Sequence, residues 1–196
     1  GSENFNKERR YGWFPSISGG WVPTQYDWYR NLLPFNNFLK FRASWGRVGN
    51  DRLKDENGND IRFPYLTTLG NVSSTWGTGL AENRTGSMNL KWEVSTKTNF
   101  GIDARFFDDK VDMTVDFFHT KTTDIFQRRA NIPDEGGLSN VLPYANIGSM
   151  KSWGMDGTLA YTHTFNKDMA LTVRGNFTHA ENEVIYWEQS GVNYPY

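Results

Sequence analysis

Apolar and polar residues alternate one for one along much of this chain, and the alternation is longest between Trp92 and Phe107. Trp92, Val94, Thr96, Thr98, Phe100, Ile102, Ala104 and Phe106 form one set; Glu93, Ser95, Lys97, Asn99, Gly101, Asp103 and Arg105 form the other. Successive side chains of a strand point to opposite faces, so the pattern predicts a strand lying between an apolar medium and water. A globular strand usually has about 5–6 residues. A tilted strand crossing a bilayer needs roughly 9–11 for the hydrocarbon alone; interfacial residues and an extension into water account for the rest of this one.

Five further strands follow from the same pattern. Phe14–Val22 sets Ile17, Gly19 and Trp21 against Ser16, Ser18 and Gly20, and Pro23 stops it. Residues 24–38 are a connection in which Asp27–Leu33 reads as one helical turn closed by Pro34. Leu39–Gly49 sets Leu39, Phe41, Ala43 and Trp45 against Lys40, Arg42 and Ser44. Val111–Phe126 sets Val111, Met113, Val115 and Phe117 against Asp112, Thr114, Asp116 and Thr120. The fifth strand begins near Ser152 and the sixth at Met169; the tail from Glu181 reads as the start of another loop. Tight turns are expected at Asp108–Lys110 and Asn166–Asp168, long connections at 50–89 and 127–147. Residues 50–89 lack sustained periodicity, which marks a functional loop rather than part of a compact core.

Short connections alternating with long ones are the pattern of an outer-membrane barrel, with periplasmic turns and extracellular loops. Trp153 and Phe165 share a face and lie twelve positions apart. At about 3.3 Å per residue and a tilt near 40° they are separated by roughly 30 Å along the membrane normal, close to the spacing of two aromatic girdles. The expected fold is therefore all-β: an antiparallel transmembrane β-barrel segment of about six long strands. Lys97, Asp103, Asp116, Asp156 and Arg174 are expected to face the lumen, and Val94, Phe100, Ile102, Val115, Leu159 and Val173 the lipid.

The balance of 21 basic against 22 acidic residues gives no bulk charge for nucleic acid. The absence of cysteine excludes disulfides and thiolate metal sites. Aromatic content of 16%, with eight Trp, suits a barrel. No catalytic set converges: the carboxylates Asp103, Asp112 and Asp116 are expected to pair with Lys97, Arg105 or Arg174 in a wet interior. His119, His163 and His179, on three strands, read as interfacial rings rather than metal ligands. Residues 55–60 resemble a calcium loop in composition but lack its spacing and distal Glu, so a turn is expected. Neither enzyme activity, cofactor nor metal is expected. Phe63, Tyr65 and Trp76, among Gly and Ser in the 50–89 loop, are candidate ligand or partner contacts. They also leave open an alternative class, a soluble or surface-exposed glycan-binding all-β domain.

Several short motifs point further. Arg10-Tyr-Gly-Trp-Phe-Pro-Ser-Ile-Ser-Gly-Gly-Trp21 and Leu39-Lys-Phe-Arg-Ala-Ser-Trp-Gly-Arg-Val-Gly-Asn50 resemble barrel segments of the SusC/RagA-type TonB-linked outer-membrane proteins of Bacteroidota. Asn89-Leu-Lys-Trp-Glu93, Thr98-Asn-Phe-Gly-Ile-Asp103, Val115-Asp-Phe-Phe118, Asn146-Ile-Gly-Ser-Met150 and Trp153-Gly-Met-Asp156 follow in that family's order. The resemblance covers nearly the whole chain outside its loops. It implies nutrient import through a plugged barrel of roughly 22 strands, with TonB supplying energy and a SusD-like surface lipoprotein helping to capture oligosaccharide or peptide. The N-terminus shows no signal peptide, and the motifs include neither plug, TonB-contacting segment nor closing strand. The chain is therefore expected to be an internal stretch of a longer outer-membrane protein.

Overall fold

The computed structural model describes residues 1–55, 58–75, 77–129 and 143–189. Its main body is one antiparallel sheet of six strands: β1 (Ser16–Trp21), β2 (Asn36–Asn50), β7 (Glu93–Phe106), β8 (Val111–Arg128), β9 (Tyr144–Asn166) and β10 (Met169–Tyr186), paired in that order. The six expected strands are all present, and each main strand pairs with the next one in the chain, so the sheet is a plain meander. The β7–β8 turn carries positive φ at Asp108 and Asp109, as a tight hairpin requires, and the Lys110 amide donates to the Phe107 carbonyl at 3.3 Å. At the β9–β10 turn the Asp168 amide donates to Asn166 Oδ1 at 3.0 Å, a local side-chain bond that sets the reversal. Between β1 and β2 a short 3₁₀ turn (Pro23–Gln25) and α1 (Asp27–Leu32) lie where the helical turn is expected.

Three elements differ from the sequence reading. Residues 51–92 are not wholly irregular: they contain the small hairpins β3–β4 (Leu53–Lys54 with Asp60–Ile61) and β5–β6 (Thr68–Ser74 with Gly77–Arg84). The β6 residues are exposed up to its last position, so no hydrophobic alternation marks the hairpin. Strand β9 starts at Tyr144 rather than near Ser152, and β10 runs to Tyr186, past the expected loop start at Glu181. In these extensions the ladder continues, Ser152 to Asn182 and Met150 to Val184, after the alternation has faded.

The sheet has no second layer across its middle, so apolar side chains such as Ile17, Leu159 and Val173 stand open at 71%, 52% and 60% exposure. Deep burial lies at the two ends: Pro23, Thr24, Tyr29 and Asn36 are buried beside the tight turns, and Phe5, Leu53 and Leu90 where the long connections lie. There Phe5 packs on Trp92 and Phe126 at ring-centroid distances of 5.3 and 6.1 Å, and Phe14 meets Trp92 edge-on at 5.2 Å. Residues 1–14 are tied over this cluster by Ser2 N–H to Arg10 O (2.9 Å), Arg9 Nη1 to Asn89 O (2.9 Å) and Asn4 Nδ2 to Asp51 O (3.2 Å).

Among the described residues β1 and β10 each have a neighbouring strand on one side alone, so their outer edges have no strand partner. In lipid unpaired backbone groups cost several kcal/mol each. Residues 1–196 produced alone are therefore expected to aggregate or require detergent, and to give no conductance in planar bilayers. A soluble monomer with a single cooperative melt in detergent-free buffer would contradict this and favour a soluble domain.

Candidate functional site

Ladder partners in an antiparallel sheet lie on the same face, so the register sorts every residue. One continuous row runs Gly20, Arg42, Gly101, Asp116, Asp156 and Thr178; the next runs Lys40, Asp103, Thr114, Thr158 and Asn176. Arg105, Asp112, Ala160 and Arg174 follow on one side, and Lys97, Thr120 and Ser152 two rows away on the other. Lys97, Asp103, Asp116, Asp156 and Arg174 thus share one polar face. The opposite face carries Trp21, Phe41, Ile102, Val115 and Phe177 in one row, and Ala43, Phe100, Phe117 and Met155 in the next. Its rings stack, Trp21 on its ladder partner Phe41 at 5.9 Å and Phe41 diagonally on Phe100 at 6.2 Å.

The polar face is organised by Arg42, a residue the strand pattern assigns to this face without identifying its partners. Its Nε and Nη2 donate to the two oxygens of Asp103 at 2.8 and 3.0 Å, and Nη2 also donates to Asp116 at 3.1 Å. The guanidinium thus reaches from β2 across β7 to β8. Gly101 lies directly beneath it: a Cβ there would stand 2.4 Å from Asp116 Oδ1 and 2.7 Å from Arg42 Cζ. The glycine is the gap through which the arginine lies flat. Asp103 and Asp116 therefore pair with Arg42; among the described residues Arg105 is the one expected cation that meets a carboxylate on this face, Asp112, at 3.8 Å. The register explains why: Arg42 faces Gly101, which faces Asp116, and one strand's sequence does not reveal its neighbours' alignment. Beside the triad, Ser18, Ser44, Asn99 and Gly20 help line an open polar hollow of about 390 Å³. Its groups can hydrogen-bond a polar solute.

At the far end of the sheet Asn146 closes a clamp. Its Oδ1 accepts from the Lys91 amide (2.9 Å), and its Nδ2 donates to the Lys91 and Asp124 carbonyls (2.7 Å each). Lys91 Nζ meets Asp124 at 2.9 Å, where β8 bulges with Asp124 at φ 58°. The motifs around Lys91 and Asn146 are thus in contact, one fastening the start of β7 to β9.

The loop candidates divide. Phe63 (φ 50°) and Tyr65 are half-buried and meet edge-on at 6.4 Å, with Arg62 over the Phe63 ring at 5.4 Å. Arg84 Nη2 donates to the Phe63 carbonyl at 3.3 Å, and Arg62 pairs with Glu3. Trp76 lies outside the described residues. Asp55 forms a turn, accepting from the Asn59 amide at 2.7 Å. Among the described residues no three His, Asp or Glu side chains are grouped to hold a metal. His119 and His179 sit on the apolar face, opposite Trp153 and Met155 respectively, and His163 shares it near the tight turns, edge-on to Phe165 at 4.5 Å.

The gap at Gly101 gives a direct test. Gly101→Ala overpacks the site and is expected to cost about 1–3 kcal/mol. Arg42→Ala, with its half-exposed pairs screened by water, should cost about 1 kcal/mol. The double variant should be no worse than Arg42→Ala alone, because the methyl enters the space the guanidinium leaves. Denaturant unfolding of the four proteins in detergent checks this; additive costs would mean that the two positions do not share the gap.

A family model described as "TonB dependent receptor-like, beta-barrel" matches residues 1–195. TonB-dependent receptor P39 of Formosa agariphila is 34% identical over 94% of this chain, and TonB-dependent receptor SusC of Bacteroides thetaiotaomicron is 28% identical over 94%. The RagAB peptide importer in its closed-closed state aligns over 95% of the chain with a TM-score of 0.77 and 25% identity. The chain spans 17%, 18% and 20% of the lengths of these three proteins, about a fifth or less. The meander of long strands, the two-faced register and this match lead to one conclusion: residues 1–196 belong to the TonB-dependent receptor β-barrel family, of the SusC/RagA kind, and form part of an outer-membrane barrel.

Proposed function

We propose that these residues form six consecutive strands in the wall of an outer-membrane importer. The apolar face contacts lipid, the Arg42 face lines the lumen, and the long connections stand outside the cell. The observation that carries the reading is the register, which collects Lys97, Asp103, Asp116, Asp156 and Arg174 on one face and Phe100, Ile102, Val115, Leu159 and Val173 on the other. The tight β7–β8 and β9–β10 turns and the moderate β1–β2 link at one end, against the longer connections at the other, support the sidedness. The importer takes up peptide or oligosaccharide, the first suggested by the RagAB likeness. It works with a SusD-like surface lipoprotein and draws on TonB through another part of the longer protein. In this reading the polar hollow beside Arg42 is a stretch of the solute path or of the seat of a plug.

Depth along the apolar face refines the lipid assignment. Beyond the row holding Trp45 and Trp153 comes a row of Arg47, Thr96, Lys121, Lys151 and Glu183. Val94 lies past that charged row, so it sits above the hydrocarbon although it shares the face of Ile102.

In the full-length receptor, Ile102→Arg is expected to cost about 2–4 kcal/mol of barrel stability, and Val94→Arg about 0–1 kcal/mol. Asp156→Arg, one position from the Ile102 row but on the other face, should assemble normally. Leu80→Cys, in the β5–β6 hairpin, should react with a membrane-impermeant thiol reagent on intact cells. Equal tolerance of the two Arg substitutions at 102 and 156 would refute the facing, and an unreactive Leu80→Cys the sidedness.

The loop aromatics supply the remaining test. Phe63→Ala with Tyr65→Ala should preserve surface expression and reduce uptake or lipoprotein association several-fold, since exposed ring faces bury much area at little entropic cost. Unchanged uptake and association would leave Phe63 and Tyr65 as packing for Arg62 and Arg84.

A further inference from the structure

The charged row on the apolar face has a use that the import reading does not supply. Arg47, Lys121 and Lys151 lie in one ladder row, joined through Thr96, and immediately above the row of Trp45, His119 and Trp153. Lys121 stands directly opposite Lys151. Like charges in that position repel. Lys151 is partly offset by Glu183 at 2.8 Å and lies over the Trp153 ring at 5.2 Å. Among the described residues neither Arg47 nor Lys121 makes an ion pair, and both are exposed. With strands about 4.8 Å apart, the three cations span roughly 15 Å in the plane of the membrane.

A row of three cations and one carboxylate, Glu183, just beyond an aromatic girdle, sits where lipid headgroups begin. Being on the lipid side of the wall, it cannot touch a solute in the lumen. The anion within reach is the headgroup of the adjoining leaflet, which on the outer side of an outer membrane is a phosphorylated glycolipid. We propose that Arg47, Lys121 and Lys151 form a binding site for the phosphate groups of outer-leaflet lipid A, with Trp45 and Trp153 seating the sugar–acyl boundary beneath them. The proposal rests on the sidedness given above. The site uses the point charge of lysine and the fork of arginine as phosphate partners, and bound phosphate relieves the repulsion between Lys121 and Lys151.

The test uses the full-length receptor purified in detergent and titrated with micelles containing phosphorylated lipid A or its enzymatically dephosphorylated form, with binding read by native mass spectrometry. The phosphorylated lipid should bind in preference. Each lost cation should weaken binding about fivefold, so that Lys121→Gln binds about fivefold less well and the triple Gln variant about a hundredfold less. Lys40→Gln, an equal loss of charge on the other face, should bind as the parent does. In lipid-free detergent Lys121→Gln should melt no lower than the parent, a result that separates a lost ligand from a damaged fold. Should the triple variant fail to assemble, Arg47→Gln and Lys121→Gln singly give the same reading. Equal binding of the two lipids, or parental affinity in Lys121→Gln, would overturn the proposal even if Leu80→Cys is labelled from outside. An unlabelled Leu80→Cys would overturn the sidedness and the lipid site together.

Discussion

A strand in lipid must find a partner for every backbone amide and carbonyl, because the hydrocarbon offers none. This requirement governs the sheet described here. It forces an unbroken ladder from β1 to β10, and the ladder in turn fixes which side chains meet. A shift of one residue anywhere would turn a strand's apolar set inward and its charged set toward lipid. The pairing of Arg42 to Gly101 to Asp116 exists only because two successive registers are correct. The ion-paired triad and the stacked Trp21–Phe41–Phe100 rings are thus two readings of one alignment, made on its opposite faces. Each stabilises the register that the other needs.

The two ends of the sheet solve different problems. At the tight-turn end the chain reverses within a few residues, and positive φ at Asp108 and Asp109 is the local strain that this demands. At the other end β9 and β10 run on past the apolar rows. There the structure adds a small aromatic core of Phe5, Phe14, Trp92 and Phe126, and the Asn146 clamp. These hold the strand ends apart from the loops above them. The bulge at Asp124 belongs to this end as well, displacing β8 so that the Asp124 carbonyl and carboxylate both serve Lys91 and Asn146.

The sequence is most legible where one face meets lipid and the other water. Between Thr98 and Phe106 the two faces differ most and the period of two is clearest, and the observed β7 differs from the expected strand by one residue at each end. Legibility falls where both faces see the same medium. Gly77–Asn83 is exposed on both faces, so the hairpin has no pattern to betray it; Tyr144–Lys151 extends β9 past the row of Trp45 and Trp153 and likewise lacks alternation. The site was legible as a set of faces and illegible as a set of pairs. Lys97, Asp103, Asp116, Asp156 and Arg174 could be assigned to one side from their own strands. Arg42 could not be matched to Asp103 and Asp116, because that depends on how three strands are aligned. Gly101 shows its purpose only beneath the guanidinium of Arg42.

Residues 51–92 leave the sheet at Asn50 and return at Glu93, and these two residues are ladder partners. However long the excursion, its ends are one strand spacing apart and are held there by the sheet. The entropy of closing such a loop grows only with the logarithm of its length, about 0.6 kcal/mol for each doubling. Material can therefore be inserted, removed or exchanged above this point at small thermodynamic cost, without disturbing the alignment below. The Asn50–Glu93 pair makes the sheet and the excursion inserted between its strands separable inheritances: one can be kept while the other is rewritten.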